Sequence, residues 1–398
     1  MMARTPRMFV LDEEVGGLYH CINRCVRRAF LCGQDQLTGK SFEHRREWIR
    51  RRMEFLAGEF GVDVLGYTVM SNHLHAILRT RPDVVREWSD EEVARRWWQL
   101  FPWRREADGS ATKMREDELQ AMLSDAKKLV EWRKRLSSVS WFMRCLAEPI
   151  ARQANHEDEC TGRFWEGRFK CQPLLDEAAL LACCVYVDLN PIRAGVAKTP
   201  ETSQFTSAYD RIQALKASVA ESSAKPETDA RKAGSSSRRA AVSATSTPSP
   251  AAPDGWLSPI ELARDLDDVS SASESPKSSN TTTATRSSAR PARRRTPEER
   301  LRRASSKGFL PMTLADYLSL LDWTGRQLRR DKRGAIPAEM QPLFARLKIS
   351  GEGWFDLIQD FSRLFRRAAG RPESLATEAA RRDRRWLQGI SNSRTLFA

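Results

Sequence analysis

The sequence predicts an α+β fold: a β-α-β-β-α-β domain with a trailing helix, then a linker, then a small helical domain. Three observations predict it. Up to residue 215, short β-branched and aromatic runs alternate with longer stretches whose apolar residues recur at helical spacing. From 217 to 308 the composition shifts to Ser, Ala, Thr, Pro and Arg, as in a disordered linker. From 309 to 398 helical periodicity returns.

Residues 1–17 are expected to be a flexible lead-in, with the first domain spanning 9–215. Residues 18–26 read as a strand, and a loop with Arg27, Arg28 and Gly33 follows. Phe42, Trp48, Ile49, Met53, Leu56 and Phe60 mark a helix over 36–60, stopped by Gly61. Residues 62–70 and 73–80 read as two strands joined at Ser71-Asn72, which is turn chemistry, so they should form a hairpin. Pro82 opens a second helix running to Leu100, which Phe101-Pro102-Trp103 breaks. Residues 104–137 are highly charged and helical in tendency, and read as an insertion poor in core residues. Residues 140–156 form an amphipathic helix burying Trp141, Phe142, Leu146 and Ile150. A strand over 169–174 and a helix capped by Asp176 complete the domain, with Asn190-Pro191 ending or kinking that helix. This is the element order of a ferredoxin-like domain with a trailing helix.

Within the linker, Trp256-Leu257-Ser258-Pro259-Ile260-Glu261-Leu262 is a candidate docking helix. Its end carries a basic run (Arg290, Arg293, Arg294, Arg295, Arg300, Arg302 and Arg303) readable as a solvated tail or as an arm along a phosphate backbone. The helical end of the chain, with Arg326, Arg329, Arg330, Lys332 and Arg333, fits an accessory nucleic-acid contact or a protein-binding module.

The chain has 398 residues with 66 Lys and Arg against 52 Asp and Glu, a net charge of +14 and a pI near 9.7. That balance favours a polyanionic partner, nucleic acid before membrane. No apolar run is long enough for a transmembrane helix and the N-terminus has no signal-peptide core, so a cytoplasmic location is expected. The eight cysteines are then expected to be free thiols. Cys21 and Cys25 could open a zinc site, but no second pair with ligand spacing answers them.

Two of the five histidines, His73 and His75, stand one residue apart in the expected third strand. Side chains at i and i+2 of a strand share a face, so two imidazoles project together, which starts a divalent-metal site without completing it. Tyr186 and Asn190 are four apart on the last helix of the domain and share a face of it. Asn190 offers an amide oxygen to a hard cation. Tyr186 offers an oxygen nucleophile, or is a core tyrosine with its hydroxyl satisfied at the surface; spacing leaves both open.

Four motifs follow in order: Tyr19-His20-Cys21-Ile22-Asn23-Arg24, the run from Tyr67 to His75, Phe164-Trp165-Glu166-Gly167-Arg168-Phe169-Lys170, and the run from Tyr186 to Gly195. The series resembles the IS200-like transposases, in particular the REP-associated tyrosine transposase branch, over about residues 9–215. The resemblance implies a metal-dependent enzyme that cleaves and rejoins single-stranded, hairpin-forming DNA in transposition or recombination. It implies that His73, His75 and Asn190 hold Mg²⁺ or Mn²⁺, and that Tyr186 attacks to give a 5′-phosphotyrosine. No nucleotide triphosphate is needed, in agreement with the absence of a P-loop motif. Arg24, Arg168, Lys170 and Arg193 are the candidate DNA contacts, or ordinary surface charge. A nucleoid-associated monomer or homodimer fits the resemblance. The segment 101–137 and the long C-terminal half depart from a minimal member, which keeps a host-adopted DNA-binding regulator as the alternative.

Overall fold

The computed structural model describes residues 15–26, 31–35, 38–224, 252–262, 302–327, 341–347 and 351–397. Strand alternation sets its plan. In β1 (Leu18–Arg24), Tyr19 and Cys21 face one side of the sheet and His20 and Ile22 the other. Helix α1 (Arg45–Glu59) follows, then β2 (Val62–Val69) and β3 (His73–Thr80), paired as a hairpin. Helices α2 (Pro82–Glu87), α3 (Asp90–Leu100), α4 (Glu116–Leu123), α5 (Ala126–Leu136) and α6 (Val139–Glu157) come next. Strand β4 (Lys170–Pro173) completes a four-stranded, wholly antiparallel sheet in the order β2-β3-β1-β4.

The sheet separates two cores. On one face Tyr19, Cys21, Val64, Leu74, Ala76 and Leu78 pack with α1 and with α3 to α6. On the other, Leu65 and Ile77 meet α7 (Glu177–Asp188), which is followed by the single turn α8 (Asn190–Arg193) and by α9 (Ser207–Ala224). Helices α10 (Leu314–Gln327), α11 (Gln341–Leu347), α12 (Gly351–Leu364), α13 (Pro372–Arg381) and α14 (Ile390–Leu396) contribute to that second core. Every residue of α7 from Ala178 to Asp188 is buried. An α-helix that is apolar all round must be covered on all sides. The sheet covers one side of α7 and α12 packs on it as well.

Several expectations need correction. The helix over 36–60 begins only at Arg45, because Gly39, at a φ of +71°, closes a turn in which its N–H donates to the Asp35 carbonyl. The helix over 82–100 is two helices: Ser89 leaves helical geometry and its side chain accepts from the Glu92 N–H, capping a new start. The segment 104–137 is not poor in core residues, since Leu119, Met122, Leu129, Trp132 and Leu136 are buried in the first core. Residues 309–397, where described, share the core of α7 instead of forming one of their own.

The expected linker is also partly packed. Trp256 is fully buried against the first core, with its ring 5.1 Å from that of Tyr67. The segment 256–262 docks by a parallel bridge between Leu257 and Val64, as a turn and extended chain and not as a helix. Arg302 pairs with Glu54 and donates to the Ala252 carbonyl, and Arg303 donates to the carbonyls of Gly255 and Leu257. These two arginines tie the segment that begins at 302 to α1 and to the segment 252–262. Arg290, Arg293, Arg294, Arg295 and Arg300 lie outside the described residues, as do Arg329, Arg330, Lys332 and Arg333. Among the described residues no helix is long and apolar enough to cross a membrane, and none of the eight cysteines is in a disulfide.

Burial of Trp256 yields a test. Trp256→Ala should cost about 3–5 kcal/mol in denaturant unfolding, the range for removing a core tryptophan. A cost within about 0.5 kcal/mol, as for an exposed position, would show that the segment does not dock.

Candidate active site

The site forms where the second face of the sheet meets α7. His73 and His75 lie on β3, and the register sets Arg24 opposite His73 and Ile22 opposite His75. His20, diagonal to His75 across the β1–β3 pair, lies edge to edge with it, ring centroids 5.0 Å apart and planes within 14° of parallel. The rings of His73 and His75 are 4.8 Å apart. Tyr186 comes from α7 and sits edge-on to His75 at 5.7 Å and to His20 at 6.1 Å. Strand β3 and helix α7, more than a hundred residues apart in the chain, thus bring together the two imidazoles and the phenol that the spacing singled out.

Hydrogen bonds set which ring nitrogens are available. His73 Nδ1 lies 2.6 Å from Asn72 Oδ1, an acceptor, so the proton sits on Nδ1 and the Nε2 lone pair is free. His75 Nδ1 lies 2.8 Å from His20 Nε2. His75 Nε2 is fully buried and has no hydrogen-bond partner. Such an atom is costly unless something binds it. Asn190 donates through Nδ2 to the Tyr186 carbonyl at 3.0 Å, which turns its amide oxygen away from that bond. Its place at the junction of α7 and α8 follows from Pro191, which occupies the first turn of α8.

Burial keeps the imidazoles neutral, as cation binding requires. Loss of hydration lowers His20 to about 4, with Gln172 opposing and His73 adding to the shift. His73 is also lowered to about 4, first by burial and then by Arg24 and Lys170. His75 is pushed well below the usual histidine value, by burial first and then by His20, His73, Arg193 and Arg24. Among the described residues no three His, Cys, Asp or Glu side chains form a metal-holding group. Asn190, whose amide lies outside that count, stands at the junction of α7 and α8, just beyond Tyr186. Neutral imidazoles, one of them with an orphaned buried nitrogen, are a donor type that suits a divalent cation.

The candidate DNA contacts divide. Arg24 and Lys170 are exposed at the edge of the histidine cluster and act on its charge. Arg193 is held: its guanidinium lies 4.8 Å from the Tyr186 ring centre and donates to the Gln359 carbonyl of α12. Arg168 is exposed on the segment before β4.

Three features were not singled out from the sequence. Phe361 of α12 stacks on Tyr186 at 5.4 Å, leaving the tyrosine only 6% exposed. Asp188, fully enclosed, accepts from Ser207 Oγ at 2.5 Å, Ala208 N at 3.0 Å and Tyr317 Oη at 2.6 Å, tying α7 to α9 and α10. His20 was visible only as a member of a motif. The helical insertion has an open depression of about 300 Å³ beside Trp97, Trp103 and Trp132, which shares no lining residue with the histidines.

No protein-family model matches the chain, and no curated protein matches it. Among solved structures, a REP-associated tyrosine transposase bound to a REP hairpin is similar over 54% of this chain and 88% of its own, at 14% identity and a TM-score of 0.28. At that distance, function has to come from the residues of the site.

The lowered His20 gives a pH dependence. Its folded value near 4 lies below the 6.5 of an unfolded chain, so acid favours unfolding. Its contribution to stability is present above pH 6.5 and lost as the pH falls toward 4. His20→Gln should therefore gain on the wild type in denaturant unfolding by up to roughly 1.4 kcal/mol per pH unit over that window. Parallel stability profiles from pH 7 to 4.5 would refute the neutral, buried His20.

Proposed function

We propose that the protein is a metal-dependent tyrosine transposase that cleaves and rejoins single-stranded, hairpin-forming DNA. One observation carries the reading: Tyr186 meets His75 at 5.7 Å on the same face that leaves His75 Nε2 buried and unpartnered. The ferredoxin-like reading of the domain is supported by the antiparallel order β2-β3-β1-β4.

His73 Nε2, His75 Nε2 and the Asn190 amide oxygen would hold Mg²⁺ or Mn²⁺. When bound, the ion supplies Lewis-acid polarisation of the scissile phosphate. Tyr186 Oη supplies the nucleophile. The Tyr186 O–P bond forms, the P–O3′ bond breaks, and the phenolic proton is passed to solvent as the 3′-oxygen leaves and is protonated. The 5′-phosphotyrosine keeps a phosphodiester-type bond, so a 3′-hydroxyl can reverse the exchange without a nucleotide triphosphate. Exposed Arg24 and Lys170 would neutralise the flanking phosphates, and Arg168 would extend that charge. Arg193, beside the Tyr186 ring, would place its charge near the developing phosphotyrosine. With Tyr186 only 6% exposed, a phosphate reaches its hydroxyl when Phe361 moves aside.

That same cover favours the second reading, a DNA-binding regulator on this scaffold without strand chemistry. Incubation with single-stranded hairpin oligonucleotides and Mn²⁺, followed by a denaturing gel, separates the two. The transposase reading expects a covalent protein–DNA band from the wild type and none from Tyr186→Phe. His73→Ala should lose the band and keep most of the binding, which rests on phosphate charge and base stacking. A band that survives Tyr186→Phe sinks the nucleophile assignment. Tight hairpin binding with no band under any divalent cation favours the regulator.

A further inference from the structure

We infer that His20 is a positioning residue: with Gln172 and the Phe365 carbonyl it fixes the proton of His75 on Nδ1 and so keeps His75 Nε2 free to bind a cation. The cation half of this rests on the proposed function, while the proton placement stands without it.

The relay begins at a group that has no choice of role. A backbone carbonyl only accepts, and the Phe365 carbonyl takes a hydrogen bond from Gln172 Nε2. The amide of Gln172 is thereby oriented, and its Oε1 is the atom 3.4 Å from His20 Nδ1. An amide oxygen also only accepts, so His20 carries its proton on Nδ1. A neutral His20 then presents a lone pair at Nε2, 2.8 Å from His75 Nδ1. His75 must carry its proton there. The other tautomer would set two lone pairs against each other at 2.8 Å and would put a hydrogen on Nε2, the one atom of the relay that is buried without a partner.

Sheet geometry makes the relay rigid. Gln172 and His20 are direct partners in the β4–β1 register, and His20 is diagonal to His75 in the β1–β3 register. The relay thus crosses three strands in one plane of side chains. Both nitrogens of His20 are used within it, so His20 acts through His75 and is not itself a ligand. Its outer end is the residue immediately after α12, so the C-terminal half of the chain sets the chemistry of the histidine strand.

The test uses the full-length protein labelled with ¹⁵N-histidine, without metal, at pH 7.5. Two-bond ¹H–¹⁵N correlation spectra read the tautomer of each ring, with His75→Ala assigning the resonance. The wild type should show His75 protonated on Nδ1. His20→Leu should release that preference, His20→Gln should retain it, and Gln172→Leu provides the same break from another strand if His20→Leu does not fold. Mn²⁺ titration followed by electron paramagnetic resonance should show affinity weakened about 10–100-fold in His20→Leu and held within about threefold in His20→Gln. A wild-type His75 protonated on Nε2 overturns the inference. So does a folded His20→Leu that binds Mn²⁺ as the wild type does. A wild type with the expected tautomer and no Mn²⁺ binding overturns the cation reading and leaves the relay standing.

Discussion

Helix α7 has no polar side to give to water, and most of the structure follows from that. Its buried run, Ala178 to Asp188, needs apolar partners all round. The sheet supplies Leu65 and Ile77, and the C-terminal helices supply Tyr317, Leu320, Trp354, Leu357 and Phe361. Covering α7 therefore recruits residues from more than a hundred positions downstream. It also places Tyr186 between the histidine strand and Phe361, so the core and the candidate active site are built from the same helix.

Burial on this scale leaves polar groups that must be satisfied. Asp188 is a carboxylate inside the second core, and burial raises its pKa against the pull of Arg211 and its hydrogen bonds. Its three donors come from α9 and α10, so the group that ends α7 also locks the elements that cover it. Asp63 does similar work at the edge of the sheet, where Arg79, Arg81 and Ser305 converge on it and hold the segment 302–308. His75 Nε2 is the exception in the histidine cluster. It stays buried and unpaired at the point where the histidine strand and Tyr186 meet.

Much of the fold was legible because the signals were local. Short β-branched and aromatic runs placed β1 to β4 to within two residues, and Asp176, read as a cap, has a side chain that accepts from Ala179 N. The failures were also local in origin. Ser89 restarts a helix that periodicity read as continuous, and Gly39 delays one. The larger misreading concerned 104–137 and 252–262. High charge hid Leu119, Trp132 and Leu136, and a Ser- and Pro-rich background hid Trp256, because composition averages over residues while packing acts on single side chains.

For the site, the sequence by itself determined pairings set by backbone period: His73 with His75 on one strand face, and Tyr186 with Asn190 one helical turn apart. Those relations hold in any context that keeps the strand and the helix. Only the tertiary structure decided which strand face meets which helix. It joined His20 to His75 across 55 residues, to Gln172 across 152, and Gln172 to Phe365 across 193. Register and packing, not periodicity, fix contacts of that span, because each is chosen by the burial of a whole face and not by the residues that touch.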